Sequence, residues 1–228
     1  MLKKIIKGIL AGAAISLGGI ANISSGSKLF GSLFFVIGLF LVLTTDLNLF
    51  TGKVCYVFDN KPKYISDLII IYLSNLIGAS VVGYALRLDK FLPYAENYSV
   101  GLSTRMDYPF WQVIILGFFC NVLIYIAVNG YKTQDKEWKK ICSLFFGVSV
   151  FVLCGFEHSV ADMFYISFCN MWSGKAVLFL LSVTIGNILG GIIIPLIKKL
   201  FLDDKQKTDR PTESACPNES NGEAAKEQ

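Results

Sequence analysis

Apolar blocks as long as "FWQVIILGFFCNVLIYIAV" (110–128) recur from the start of this chain to about residue 200, with charge confined to the short breaks between them. A helix needs about 20 consecutive apolar residues to cross a bilayer core. Backbone inside that core must satisfy its own hydrogen bonds. The pattern therefore restricts the chain to an all-α integral membrane fold. Composition agrees: 54% of the 228 residues are hydrophobic and 17% charged, against about a quarter charged in a soluble domain. The net charge of +4 is modest and its basic residues stand at block ends, which argues against a nucleic-acid partner.

Six blocks, at about 5–24, 28–58, 66–86, 109–130, 141–170 and 173–197, predict six transmembrane helices in a membrane domain of residues 1–202. The basic start and apolar middle of the first block mimic a signal peptide, but its length and the spans that follow at once predict a retained helix. Residues 203–228, "DDKQKTDRPTESACPNESNGEAAKEQ", have no apolar periodicity and are expected to form a disordered cytoplasmic tail. An even number of spans puts both termini on one side. That side carries Lys3, Lys4, Lys7, Lys61, Lys63, Lys132, Lys136, Lys139, Lys140, Lys198 and Lys199, against Lys28, Arg87, Lys90, Arg105 and Lys175 on the other. The positive-inside rule then places both termini in the cytoplasm of a multi-pass cell-membrane protein. Six scattered cysteines show no CxxC or CxxH spacing, so no metal site, disulfide framework or cofactor is expected.

The second block, "FFVIGLFLVLTTDLNLFTGKVCYVF", and the fifth, "FVLCGFEHSVADMFYI", are too long for one crossing and are interrupted by polar residues. They are the middle spans of two sets of three, and "SNLIGA" (74–79) in the third span matches "GNILGG" (186–191) in the sixth. Thr51 pairs with His158 at an offset of 107, and Asn75 with Asn187 at 112. An odd number of helices per copy inverts the second, so the chain reads as two inverted three-helix repeats with the second and fifth helices broken around a permeation site. Asn75 and Asn187 are expected to hydrogen-bond between helices.

His158, the only histidine, is the central expectation. At a mid-membrane break an imidazole can donate a hydrogen bond, carry a positive charge or exchange a proton with a weak acid. Thr51 supplies a hydroxyl at the matching break, and Gly155 lets the fifth helix break. Glu157, adjacent to His158, should point elsewhere and satisfy backbone N–H groups. Asp162, four residues after His158, either raises the imidazole's basicity or caps the resumed helix.

"GFEHSVADMF", "LFTGK", "NLIGA", "CNVLIYIAV" and "TIGNILGG" together resemble the formate/nitrite transporter family, across essentially all six spans. That resemblance implies an aquaporin-like protomer in a homopentamer, not an enzyme, that moves small monovalent anions or their conjugate acids through the lipid bilayer. Formate is favoured, with nitrite, hydrosulfide, acetate and lactate as further passengers. It also implies site residues. Asn121 joins Thr51 and His158 at the pore centre, and Phe35, Leu39, Leu49, Phe50, Ile124 and Phe151 form apolar constrictions. Arg105, in place of the usual lysine, draws the anion to the mouth, and Asp162 replaces an asparagine. His158 then either pairs with the anion or protonates it, the second being preferred. The alternative is an aquaporin-like channel for neutral small solutes.

Overall fold

The computed structural model describes residues 1–201; the tail expected at 203–228 lies outside the described residues. Nine α-helices follow in order: α1 (Leu2–Ser24), α2 (Lys28–Thr44), α3 (Phe50–Val54), α4 (Tyr64–Ala85), α5 (Leu92–Met106), α6 (Phe110–Thr133), α7 (Glu137–Cys154), α8 (Ser159–Phe168) and α9 (Gly174–Phe201). A 3-10 turn, Val57–Asp59, lies between α3 and α4. Met1–Leu196 form one compact unit, and a second begins at Ile197.

Four helices, α1, α4, α6 and α9, are each long and apolar enough to cross a membrane. Joined across their break, α7 and α8 make a fifth such element bent by 53°, and α2 is a shorter apolar helix of 17 residues. Large apolar side chains stand on the outer surface, among them Phe146, Phe110 and Ile69. In water such a surface would be an aggregation hazard, whereas lipid solvates it. The chain is a multi-pass membrane protein.

Small residues set the helix spacing. A Cβ on Gly78 of α4 would lie 1.9 Å from the Ile9 carbonyl oxygen of α1, and one on Gly190 of α9 would lie 2.0 Å from the Phe118 carbonyl oxygen of α6. Two helix pairs thus touch backbone to backbone, the close packing that small residues allow in membranes. At the centre sits α8, all ten of whose residues are buried; it packs on α1, α4 and α5. Helix α5 is an element that apolar periodicity did not reveal. It begins with Pro93 in its first turn and brings Tyr98 and Arg105 to the interior.

Candidate functional site

Two helices end alike and begin again after four or five residues. α7 closes with Gly155 in the left-handed region (φ 74°), where the Phe156 N–H reaches back to the Phe151 carbonyl and the Gly155 N–H to the Val152 carbonyl. This pair of bonds is a Schellman stop. α2 closes with Asp46 in the left-handed region (φ 51°), and the Leu47 N–H reaches back to the Val42 carbonyl. Lys7 binds the Asp46 carboxylate at 2.6 Å, a side-chain tie at a backbone conformation that glycine otherwise adopts more cheaply.

One asparagine then holds each break. Asn75 accepts the Phe50 N–H at 2.8 Å and donates to the Asn48 and Gly8 carbonyls, both at 2.8 Å. Asn187 accepts the Ser159 N–H at 2.9 Å and donates to the Glu157 and Gly117 carbonyls at 2.9 and 2.8 Å. Both amides are fully buried and fully used. Their partners (Gly8 and Gly117, Asn48 and Glu157, Phe50 and Ser159) lie 109 residues apart, as do Asp46 and Gly155. The register differs from the pairing expected from sequence: the position matching His158 is Leu49, not Thr51.

His158 sits at the tip of its break, 2% exposed. Its Nδ1 accepts the Ala161 N–H at 3.1 Å, so the imidazole itself caps α8. A nitrogen that accepts an N–H carries no proton, so the ring's proton is on Nε2. Nε2 therefore donates to Thr51 Oγ1, 2.9 Å away. With that bond accepted, the Thr51 hydroxyl donates to no group among the described residues, so its proton is available to a passenger. In this form the imidazole is a donor of hydrogen bonds rather than of protons, since loss of Nε2–H would leave an imidazolate. Asp162 neither caps α8 nor binds the ring.

Three cavities bear on the site, although Thr51 itself lines none of them. A wide vestibule of about 510 Å³ carries Lys28 and Arg105 at its wall. It shares Asn22, Tyr98, Arg105 and Val152 with a chamber of about 70 Å³ that His158, Phe35 and Phe151 also line. A water needs about 10–15 Å³, so the chamber holds a small anion or a few waters. A smaller pocket of about 40 Å³ is lined by Leu39, Leu49, Gly52, Asp46, Lys53 and Lys132. Phe35 and Phe151 meet edge to face at 5.7 Å, and Phe151 stacks on the His158 ring at 5.7 Å. Phe35, Leu39, Leu49 and Phe151 are each buried; the two aromatic rings adjoin the imidazole, and the two leucines line the smaller pocket.

Other expected residues stand elsewhere. Phe50 packs edge to face on Tyr72 at 4.9 Å and lines an apolar groove with α4 and α9 residues instead of the cavities. Ile124 is buried and lines none of the three. Asn121 is buried with its amide hydrogens given to the Thr51 and Asn187 carbonyls at 3.2 and 2.6 Å. The two facing carbonyls fix that orientation, so Asn121 has no donor left for a passenger.

Glu157 faces the chamber after all. Its carboxylate is 2% exposed and takes both oxygens' bonds from Arg105 Nη1, at 3.2 and 3.0 Å. Arg105 also lies over the Tyr98 ring at 5.0 Å. The backbone N–H groups that Glu157 was expected to satisfy belong to the asparagine clamp. Asn22, Tyr98 and Tyr165 went unnoticed in the sequence, although Asn22 donates to the Tyr165 hydroxyl at 3.1 Å and all three line the chamber. Tyr98 and Arg105, two helical turns apart, were a readable sign.

The sequence profile described as "Formate/nitrite transporter" matches residues 1–200. The "Uncharacterized transporter YrhG" of Bacillus subtilis is 31% identical, over 83% of this chain and 80% of its own length. The "Probable formate transporter" of Methanothermobacter thermautotrophicus is 29% identical, over 84% and 85%. Among solved structures, a "Pentameric formate channel with formate bound" superposes with a TM-score of 0.75 at 22% identity, over 90% of this chain and 97% of that one. An "FNT family ion channel" gives 0.72 at 23%, over 85% and 87%. With an all-helical fold shared with these channels and a family match along the whole helical region, the chain belongs to the formate/nitrite transporter family.

Proposed function

We propose that this protein is a channel for small monovalent anions and their conjugate acids, formate foremost, with one pore in each protomer of a homopentamer. The observation that carries the reading is the buried Thr51–His158 hydrogen bond, with His158 on the wall of a chamber of about 70 Å³. Relatives named as formate channels or transporters supply the passenger's class, and the pentameric neighbour supports the assembly. The spans form two inverted three-helix repeats, a reading supported by the two asparagine clamps and by the left-handed residue that ends both α2 and α7. Both termini face the cytoplasm, which puts Lys53 and Lys132 at the cytoplasmic pocket and Lys28 and Arg105 at the outer vestibule.

Arg105 is paired with Glu157, so it positions the chamber wall rather than offering a free charge. The anion reaches it through the vestibule, loses most of its water at the Phe35–Phe151 seal, and meets the Thr51 hydroxyl, itself held by His158 Nε2–H. An ion stripped of water in an apolar ring is very costly, so the neutral acid is the form that passes Leu39 and Leu49. Purified protein in liposomes should admit labelled formate far faster than empty vesicles. Water and glycerol permeability, measured by stopped flow, should stay near the empty-vesicle level. Fast glycerol passage without formate passage would replace this reading with a neutral-solute channel.

A further inference from the structure

Asp162, in the first turn of α8, is 1% exposed and lines the same chamber as His158. Its Oδ2 is buried without a hydrogen-bond partner, and the Glu157 carboxylate lines the same small chamber. The ionisable groups that face it are Glu157 and His158 at the break, Arg105 and Tyr98 on α5, Tyr165 one turn on, Tyr72 on α4 and Cys120 on α6. Arg105 is the one permanent cation among them, and it already binds both Glu157 oxygens. Two carboxyls thus share one guanidinium. A second buried carboxylate with no counter-charge is not sustained in a dry site, and two adjoining carboxyls settle by keeping one proton between them. Oδ2, the oxygen with no partner, is closed off from the chamber that Asp162 lines, so a proton held there reaches a passenger by a turn of the carboxyl.

We propose that Asp162 is the proton donor of this pore: its carboxylic acid protonates a weak-acid anion in the chamber, and the anion moves on as the neutral acid. The inference rests on the small-anion reading above and adds the residue that performs the proton step. The Asp162 O–H bond breaks, an O–H bond forms on the passenger's anionic oxygen, and Asp162 is left as carboxylate. The chamber's total charge is unchanged, since guanidinium, carboxylate, acid and anion become guanidinium, two carboxylates and neutral acid. The exchange is closely matched because a carboxylate passenger in the same dry chamber holds a proton about as well as Asp162 does. Water in the vestibule then returns a proton to Asp162, so one proton accompanies each anion. His158 cannot fill this place while its Nδ1 is tied to the Ala161 N–H.

In proteoliposomes loaded with a pH-sensitive dye, wild type should take in one proton per labelled formate. Asp162→Asn, of the same shape, should lower uptake at pH 7 at least tenfold and flatten its dependence on external pH, while Asp162→Glu keeps the coupling. Infrared spectra of protein with labelled aspartate should show a protonated-carboxyl band at pH 7 that Asp162→Asn removes. Unchanged uptake and pH profile in Asp162→Asn overturn the proposal. So does a wild-type spectrum without the band, a reading that needs no variant to assemble. If wild type admits no formate, the small-anion reading fails, and the band by itself still decides whether Asp162 holds a proton.

Discussion

His158 and Ala161 are joined by a hydrogen bond that fixes the state of the buried imidazole. Because Nδ1 accepts the Ala161 N–H at 3.1 Å, the ring is at once the cap of α8 and a donor toward Thr51. As the sequence has one histidine, nitrogen-15 spectra of histidine-labelled protein at pH 7 report this ring alone. They should show a protonated Nε2 and a bare Nδ1. A protonated Nδ1 would disprove the cap. His158→Phe removes it and should cost about 1 kcal/mol of stability in detergent, apart from its effect on flux.

Asn187→Ala leaves the Ser159 N–H and the Glu157 carbonyl buried without partners and takes a second bond from the Gly117 carbonyl, which keeps its bond within α6. Each such group costs about 1–3 kcal/mol, so the variant should lose about 3 kcal/mol or more. Asn75→Ala should do the same through Phe50, Asn48 and Gly8. Thermal unfolding in detergent checks both, and a loss confined to one of them would mean that the two clamps are not equivalent.

Arg105→Ala strands the Glu157 carboxylate, a change that costs about 3–5 kcal/mol when an ion pair is buried. The Arg105→Ala, Glu157→Gln double variant should recover much of that stability. Equal stability of the single and double variants would show that the pair is not coupled.

Gly78→Ala places a methyl 1.9 Å from the Ile9 carbonyl oxygen and should cost about 3 kcal/mol by forcing α1 and α4 apart. Gly101→Ala, where a Cβ meets nothing within 4 Å, should be tolerated. Comparable melting temperatures for the two would contradict the backbone contact.

Phe35→Ala opens the aromatic seal without touching the Thr51–His158 bond. Acetate and lactate uptake should rise relative to formate at least severalfold. An unchanged ratio would place the size filter elsewhere, at Leu39 and Leu49.

Hydropathy located the long helices because a bilayer demands length, and the two interruptions were visible because polar residues are costly there. Their internal register was not visible. His158 and Thr51 drew the eye as chemistry-bearing side chains, whereas the repeat is written in backbone groups that Asn75 and Asn187 gather, and Leu49 gives no polar signal. Phe50 and Ile124 fit an apolar pore ring by type but point to other neighbours, a choice that tertiary packing makes. Asn121 is polar enough to suit a pore by type, and only its partners reveal that its hydrogens are taken. Helix α5 is too polar for a hydropathy reading, yet it delivers Arg105 and Tyr98 to the chamber.

Each clamp asparagine ties the backbone on both sides of one residue, Leu49 or His158, to two other helices. Neither residue can therefore shift by loop bending alone. Any opening beside them has to come from side-chain rotation, as at Phe35 and Phe151, or from movement of whole helices, and a hinged loop at either break is the one gate that these bonds rule out.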